Sequence, residues 1–440
     1  MAGGRFDKRT GKTRPGTYIN FESSVTELIQ SSDRGVVVLP LIGHDYGPEG
    51  EFITIDNGSP DEHYNKLGYS VYDAGNQFML MIREALKLAK SVIVYMPKTG
   101  TKATSTGGGL TGTAKYGGTR GNQFSFSVAS NAASGWDVNV YIAGTVVEEF
   151  VGITNAAQLT SEYIDFVASS DIEAVAGVAL EDATASEASN SDITAFLDKL
   201  ESITFNTLAF PSTEQSLQTA CKSKIVYMRE NMGRCVNAVL PNFAGNYEGI
   251  INVTNSVILS DATLTVSQVT AWVAAAYASA TETQSNTYLK YDGAVAVNGL
   301  KTHEESITAI NSGEFFFTNL EDGSVAVEYD INSLISFGDG KDSSYRKNRV
   351  IRVLDAIAKS IQDNFPPNKF DNDEDGWNIM EGIGVSLLKE YEEEGAIKNV
   401  DTEADFLVDK VRSSGDSTYF DVAITPVDSA EKLYFSVTTR

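Results

Sequence analysis

The chain has 440 residues, with 34 basic and 59 acidic side chains, for a formal net charge of −25. Its 42% apolar and 21% charged content excludes a disordered polymer and leaves room for about two to four domains, each with its own core. The acidic excess excludes nucleic acid as a partner of the folded body, because phosphate binding needs a basic face.

The first sixteen residues run against that balance, with Arg5, Lys8, Arg9, Lys12 and Arg14 facing a single acid, Asp7. They read as the basic, glycine-containing half of an arm over 1–22 that cannot fold alone, whose second half carries the strand-forming Tyr18, Ile19 and Phe21. No apolar stretch marks a secretory signal, so a chain made in a cytoplasm and soluble there is expected. GVVVLPLIG (35–43) and SVIVYMP (91–97) are continuous apolar runs, the pattern of strands buried on both faces. Between them NQFMLMIREALKLAK (76–90) puts Phe78, Met81, Ile82, Ala85 and Ala89 on one helical face. Strand, helix, strand predicts a mixed sheet covered by helices.

Residues 98–123 change character, and eight glycines crowd into 100–121, which reads as a flexible hinge. QFSFSVAS, WDVNVYIAG and TVVEEFV then alternate in the strand manner, predicting a small antiparallel β domain inserted over 98–170. From 174 the α/β rhythm resumes. AVAGVAL, TFNTLAFP and CVNAVLPN are expected strands of the sheet. SDITAFLDKLES, capped at Ser191 or Asp192, TEQSLQTACKSKIVYMRENM and TVSQVTAWVAAAYASATET are expected helices. The last is too short and too polar at its flanks to span a bilayer.

An α/β domain over 23–97 plus 171–300 follows, and then an α+β domain over 301–417. That domain begins with GEFFFTNLEDGSVAVEYDI, a hairpin turning at Asp322-Gly323. SYRKNRVIRVLDAIAKSIQDNF is an amphipathic helix with Val350, Leu354, Ile357, Ile361 and Phe365 on one stripe, ended by Pro366-Pro367. Residues 418–440 form a closing arm with two alternating strands, the second carrying Leu433, Tyr434, Phe435 and Val437.

The chemistry-bearing motifs do not build an enzyme. TGKT (10–13) lacks the glycine five positions before Gly11, the preceding strand and the following helix of a phosphate loop. GGGLTG (107–112) matches a dinucleotide fingerprint by letter, but no helix follows to hold a pyrophosphate. In DNDEDGWNIMEG, Asp371, Asp373, Asp375 and Gly376 fall at calcium-loop positions, yet Gly382 stands where the bidentate Glu belongs. An acidic turn capping the next helix is the stronger reading. Three scattered histidines lack ligand spacing, and Cys221 and Cys235 form neither a disulfide framework nor a zinc site. No cofactor is expected. The basic cluster Arg346, Lys347, Arg349 and Arg352 is either the polar face of its helix or a docking face for an acidic neighbour.

RPGTYINFES near the start, AKYGGTRGNQFSFSV (114–128), VEYDINSLISFGDGKDSSYRKNRVIRVLDAIAKSI (327–361) and the closing EKLYFSV (431–437) resemble the contractile tail sheath proteins of myoviruses. The form most similar is that of phage-like elements and R-type, phage-tail-like bacteriocins of Gram-positive bacteria. The resemblance implies a structural subunit that stacks as hexameric rings around a tail tube. The array then contracts on a signal from the baseplate and drives the tube through an envelope. It implies arms that add strands to neighbouring subunits, an outward-lying β insert, and no membrane binding by the subunit itself. Another tail component, a tube or an adhesin, and an α/β nucleotide-binding enzyme are the alternatives.

Overall fold

The computed structural model describes residues 2–4, 16–18, 34–73, 75–338 and 340–439. Two compact units emerge, Met1–Asp33 and Arg34–Arg440. In the first, Ala2–Gly4 pairs in parallel with Gly16–Tyr18. Tyr18 therefore ends a strand paired within its own chain, while Ile19, Phe21 and the TGKT letters lie outside the described residues.

The second unit is built on a seven-stranded sheet in the order Glu314–Phe315, Ile250–Val253, Asn237–Pro241, Thr207–Ala209, Val36–Pro40, Ser91–Tyr95, Phe52–Asp56. All neighbours are parallel except the last, which runs antiparallel at the edge. Alternation assigns its side chains to two layers. Val37, Leu39, Val92 and Val94 pack under the helices Gln77–Leu86 and Val266–Ser279, whereas Val38, Ile93 and Tyr95 pack under Asn190–Lys199 and Gln215–Glu230. Burial on both faces explains the unbroken apolar runs. Helix starts are set by side-chain caps. Asn76 accepts from the amides of Phe78 and Met79, and Ser189 rather than Ser191 caps the third helix of this layer set, with Asp192 reaching back to close a capping box.

The insert is a β-sandwich. One sheet orders Thr145–Ile153, Trp136–Ile142, Phe124–Ser130 and Val175–Ala179; the other orders Ile164–Ala168, Leu110–Ala114 and Thr104–Gly107. Phe124, Phe126, Val138 and Val140 close against Leu110, Ala114 and Ile164. The run AVAGVAL, expected in the α/β sheet, instead pairs antiparallel with Phe124–Ser130, so the insert extends past residue 170. GGGLTG is no hinge. Gly108 and Gly109, at φ of 62° and 75°, form the two-residue turn of a hairpin between Thr104–Gly107 and Leu110–Ala114.

The two chain crossings into the insert lie side by side, Thr101 donating its amide to Thr184 (3.0 Å) and Ser186 to Thr99 (3.2 Å). Tyr116–Asn122 of the AKYGGTRGN stretch lock this crossing to the body. A Cβ on Gly117 would stand 2.0 Å from the Gly100 carbonyl oxygen, and one on Gly118 (φ 115°) 2.0 Å from that of Asp45. Arg120 donates from Nε to the Gly68 carbonyl (2.9 Å) and lies 4.2 Å over the Tyr69 ring, whose hydroxyl donates to Asp45 (2.8 Å). Tyr46, from the body's own loop, is fully buried against Tyr116 and Phe124 in the sandwich core.

Beyond residue 300 the chain does not leave the α/β body at once. Phe315 pairs with Val253 as the sheet's edge, and only Phe317–Asn319 and Val325–Val327 form the expected hairpin, through a loop longer than Asp322-Gly323 alone. The C-terminal domain then packs the helices Asn348–Asn364 and Glu374–Glu393 on the strand pair Phe406–Val408 and Phe420–Val422. Its core includes Val353, Ile357, Leu387, Leu388 and Phe406. Asp373 caps the second helix by accepting from the Gly376 amide (2.9 Å), and Asp375 already belongs to its first turn. The calcium-loop candidate at Asp371, Asp373 and Asp375 is thereby corrected, since twelve residues that become helical after the third cannot wrap an ion.

Candidate assembly surface

The four sequence-nominated cations cluster where the Asn348–Asn364 helix begins, and at that end the polar side chains are not left to solvent. Arg352 is fully buried. Its Nη2 donates to Asp330 (3.1 Å) and to the Gln284 carbonyl (2.5 Å), and its guanidinium lies 5.0 Å over the Tyr277 ring. Asp330 also accepts from Asn348 Nδ2 (2.8 Å) and the Asn286 amide (2.9 Å), so the charge pair is surrounded by donors that hold it in place. As a docking residue for a neighbour, Arg352 is corrected: it has no surface to present. One turn on, Asp355 takes a two-pronged contact from Arg229 of the Gln215–Glu230 helix at 3.0 and 2.6 Å. Burial works against the Arg229 charge, and the Asp355 carboxylate more than offsets it, so the guanidinium pKa rises.

The other three cations meet their own chain. Arg346 donates to the Ile310 carbonyl. Arg349 donates to the Ser429 hydroxyl (2.6 Å), and Lys347 is paired with Glu431 while lying 4.2 Å over the Tyr329 ring. Burial lowers the pKa of the Lys347 ammonium, with Asp428 and Asp330 opposing. Glu431 is held further by the hydroxyls of Ser285 (2.7 Å) and Thr287 (2.6 Å), and its side chain is only 9% exposed. Thr287 in turn accepts from the Asp330 amide (3.1 Å), which joins this contact to the buried Arg352 pair.

These contacts fasten the root of the C-terminal arm. Before it, Phe420–Val422 pairs with Phe406–Val408 of the same domain, Lys398 donates to the Thr425 carbonyl (3.0 Å), and Val427 donates to that of Ala396 (2.9 Å). The first expected strand of the closing arm is therefore used at home. Past Glu431 the character reverses: Leu433, Tyr434, Phe435 and Val437 are 67%, 89%, 84% and 86% exposed, on backbone with no strand partner among the described residues. No helix among the described residues is long and apolar enough to cross a membrane.

The sequence pointed to the basic cluster and to both arms. It gave no sign of Ser285, Thr287, Asp330 or Glu431 as partners. The one available signal was Glu431 itself, a lone carboxylate directly ahead of an apolar run.

Three family descriptions match the chain: phage tail sheath protein beta-sandwich domain over residues 98–182, phage tail sheath protein central domain over 186–333, and phage tail sheath C-terminal domain over 340–440. The phage-like element PBSX protein XkdK of Bacillus subtilis is 33% identical, with 99% of each chain covered. A crystal structure of the sheath tail protein of Desulfitobacterium hafniense superposes with a TM-score of 0.83 at 36% identity, over 96% of this chain and 99% of that one. The helical sheath of the anti-feeding prophage in its contracted state shares the fold, with a TM-score of 0.57 at 13% identity over 98% and 100% of the two chains.

Proposed function

This chain belongs to the phage tail sheath protein family, and from that premise we propose that it is the subunit of a contractile sheath that polymerises as stacked hexameric rings around a tail tube. On a baseplate signal the array contracts and drives the tube through a target envelope. The observation that carries the reading is the run Leu433–Val437, four large apolar side chains held in water on a segment rooted in the subunit body. Such a segment is a strand awaiting a sheet edge on another copy, and an unpaired strand is a liability unless another chain occupies it. Burying each of these side chains in a neighbour contributes about 2 kcal/mol before ordering costs, and each backbone hydrogen bond about 1 kcal/mol. Head-to-tail donation of this kind is a heterologous contact, which generates rings or open helices. The family's role is structural, which supports the same reading.

Negative-stain microscopy of the full chain against a variant ending at Lys432 tests the reading. Wide striated cylinders are expected from the full chain, and soluble single bodies from the shortened one. Normal cylinders from the shortened chain would end the donated-arm reading. The N-terminal residues Tyr18, Ile19 and Phe21, strand-forming by side-chain type, are proposed to act as a second donated arm, tested in the same way by removing residues 1–22.

A further inference from the structure

The sheath reading says that an arm is donated; it does not say where the arm begins. Glu431 is the single acid in residues 431–440, and past it exposure changes from 9% for its own side chain to 67% at Leu433. Three donors from two separate parts of the body converge on its carboxylate: Ser285 and Thr287 after the Val266–Ser279 helix, and Lys347 at the start of the Asn348–Asn364 helix. Among the described residues, Val427 makes the last backbone-to-backbone hydrogen bond of the tail. Residues 428–432 are thus held by side chains alone, chiefly by Glu431, with Arg349 on Ser429 as a secondary tie.

We propose that the carboxylate clamp formed by Lys347, Ser285 and Thr287 around Glu431 fixes the point at which the C-terminal arm leaves the subunit, so that only residues 433–440 are free to be donated. Opening the clamp moves the root back to Val427. Five more residues would then be freed, adding about 17 Å of extended chain. An arm of that extra length could bridge copies at more than one spacing, whereas a short arm rooted at Glu431 sets one. The clamp is therefore a length stop built from one charge pair and two hydroxyls, and Lys347 and Glu431 act as positioning residues.

The proposal rests on the donated-arm reading for its consequence, and its test is read on the unassembled full-length subunit, where donation plays no part. Digestion with a broad-specificity carboxypeptidase, followed by mass spectrometry, reports how far the free arm extends. The native chain is expected to lose residues 433–440 and then stall at Lys432. In Glu431→Gln, and independently in Lys347→Met, trimming of 428–432 is expected to quicken about tenfold and to stall near Val427. Identical stalling points in the native chain and both variants would overturn the clamp, as would native trimming that runs past Glu431. Failure of the donated-arm reading would show differently: the chain ending at Lys432 would still form cylinders while the digestion pattern stayed as expected.

Discussion

The subunit has two joints of opposite kinds, the crossing into the β-sandwich and the root of the C-terminal arm. The first is made of backbone pressed on backbone, with Gly117 and Gly118 against the carbonyls of Gly100 and Asp45, and Tyr46 buried across the seam. No rotamer change can loosen it, because the contacting atoms are main chain. The second is a set of side-chain contacts around Glu431, after which backbone pairing ends. A joint of the first kind moves the sandwich with the body as one piece. A joint of the second kind can yield locally without unfolding anything, as a link between moving bodies must. The Asn348–Asn364 helix, which begins at the second joint, is tied to the α/β body by Arg229–Asp355 and Arg352–Asp330.

The largest effect is expected at the rigid joint. Gly118→Val places a branched side chain at φ 115° and into the Asp45 carbonyl, and should cost about 3 kcal/mol or more of stability. Urea unfolding measures it, and a loss below about 1 kcal/mol would mean that the crossing adapts and the contrast fails. Next comes the helix tie. Asp355→Asn leaves the nearly buried Arg229 beside a neutral amide and should cost about 3 kcal/mol, at the lower end for a buried pair that loses one partner. Smaller still is Lys347→Met, which removes a charged partner of Glu431 at the edge of the body. Its global cost should stay near 1 kcal/mol, because opening there releases only the tail. A loss as large as that of Gly118→Val would show that the arm root belongs to the cooperative core.

Much of this was legible in the sequence, and the failures have physical reasons. The sheet strands Val36–Pro40, Ser91–Tyr95 and Asn237–Pro241 declared themselves because burial on both faces leaves no polar alternation. The same rule misplaced Val175–Ala179: Ala and Gly read as apolar, yet this strand is an exposed sandwich edge where small side chains suffice. On the Asn348–Asn364 helix the apolar stripe was visible through Val350 and Ile357, but Arg352 read as polar face or docking face, and nothing singled out Asn348 or Asp355, which are buried with it. They are buried because the helix is covered on two sides, and the charges that meet them, Asp330 and Arg229, stand far away in sequence. The arm itself was plain from Leu433 to Val437. Its root was not, because Glu431 finds Ser285, Thr287 and Lys347 only through the fold.

The smallest effect is a chemical one, and it tests whether the Arg229–Asp355 tie works by charge. Cys235 is half-buried beside that pair, and burial first and the Asp355 carboxylate second push its thiol up to about 11, with Arg229 pulling the other way. At pH 8 roughly one molecule in a thousand then carries the reactive thiolate. Cys221 is fully buried, its thiol is also pushed up, and it should react with a thiol reagent only on unfolding. Asp355→Asn removes the negative neighbour while Arg229 stays, so the Cys235 thiol pKa must fall and labelling at pH 8 must quicken severalfold. Loosening of the helix would also quicken labelling, but by exposing the thiol, so the plateau at high pH would rise along with any shift that the relieved burial brings. A charge effect shifts the rate–pH curve to lower pH and leaves its plateau unchanged. A curve that only rises in height would mean that Asp355 holds the helix by geometry, with little electrostatic reach to its neighbours.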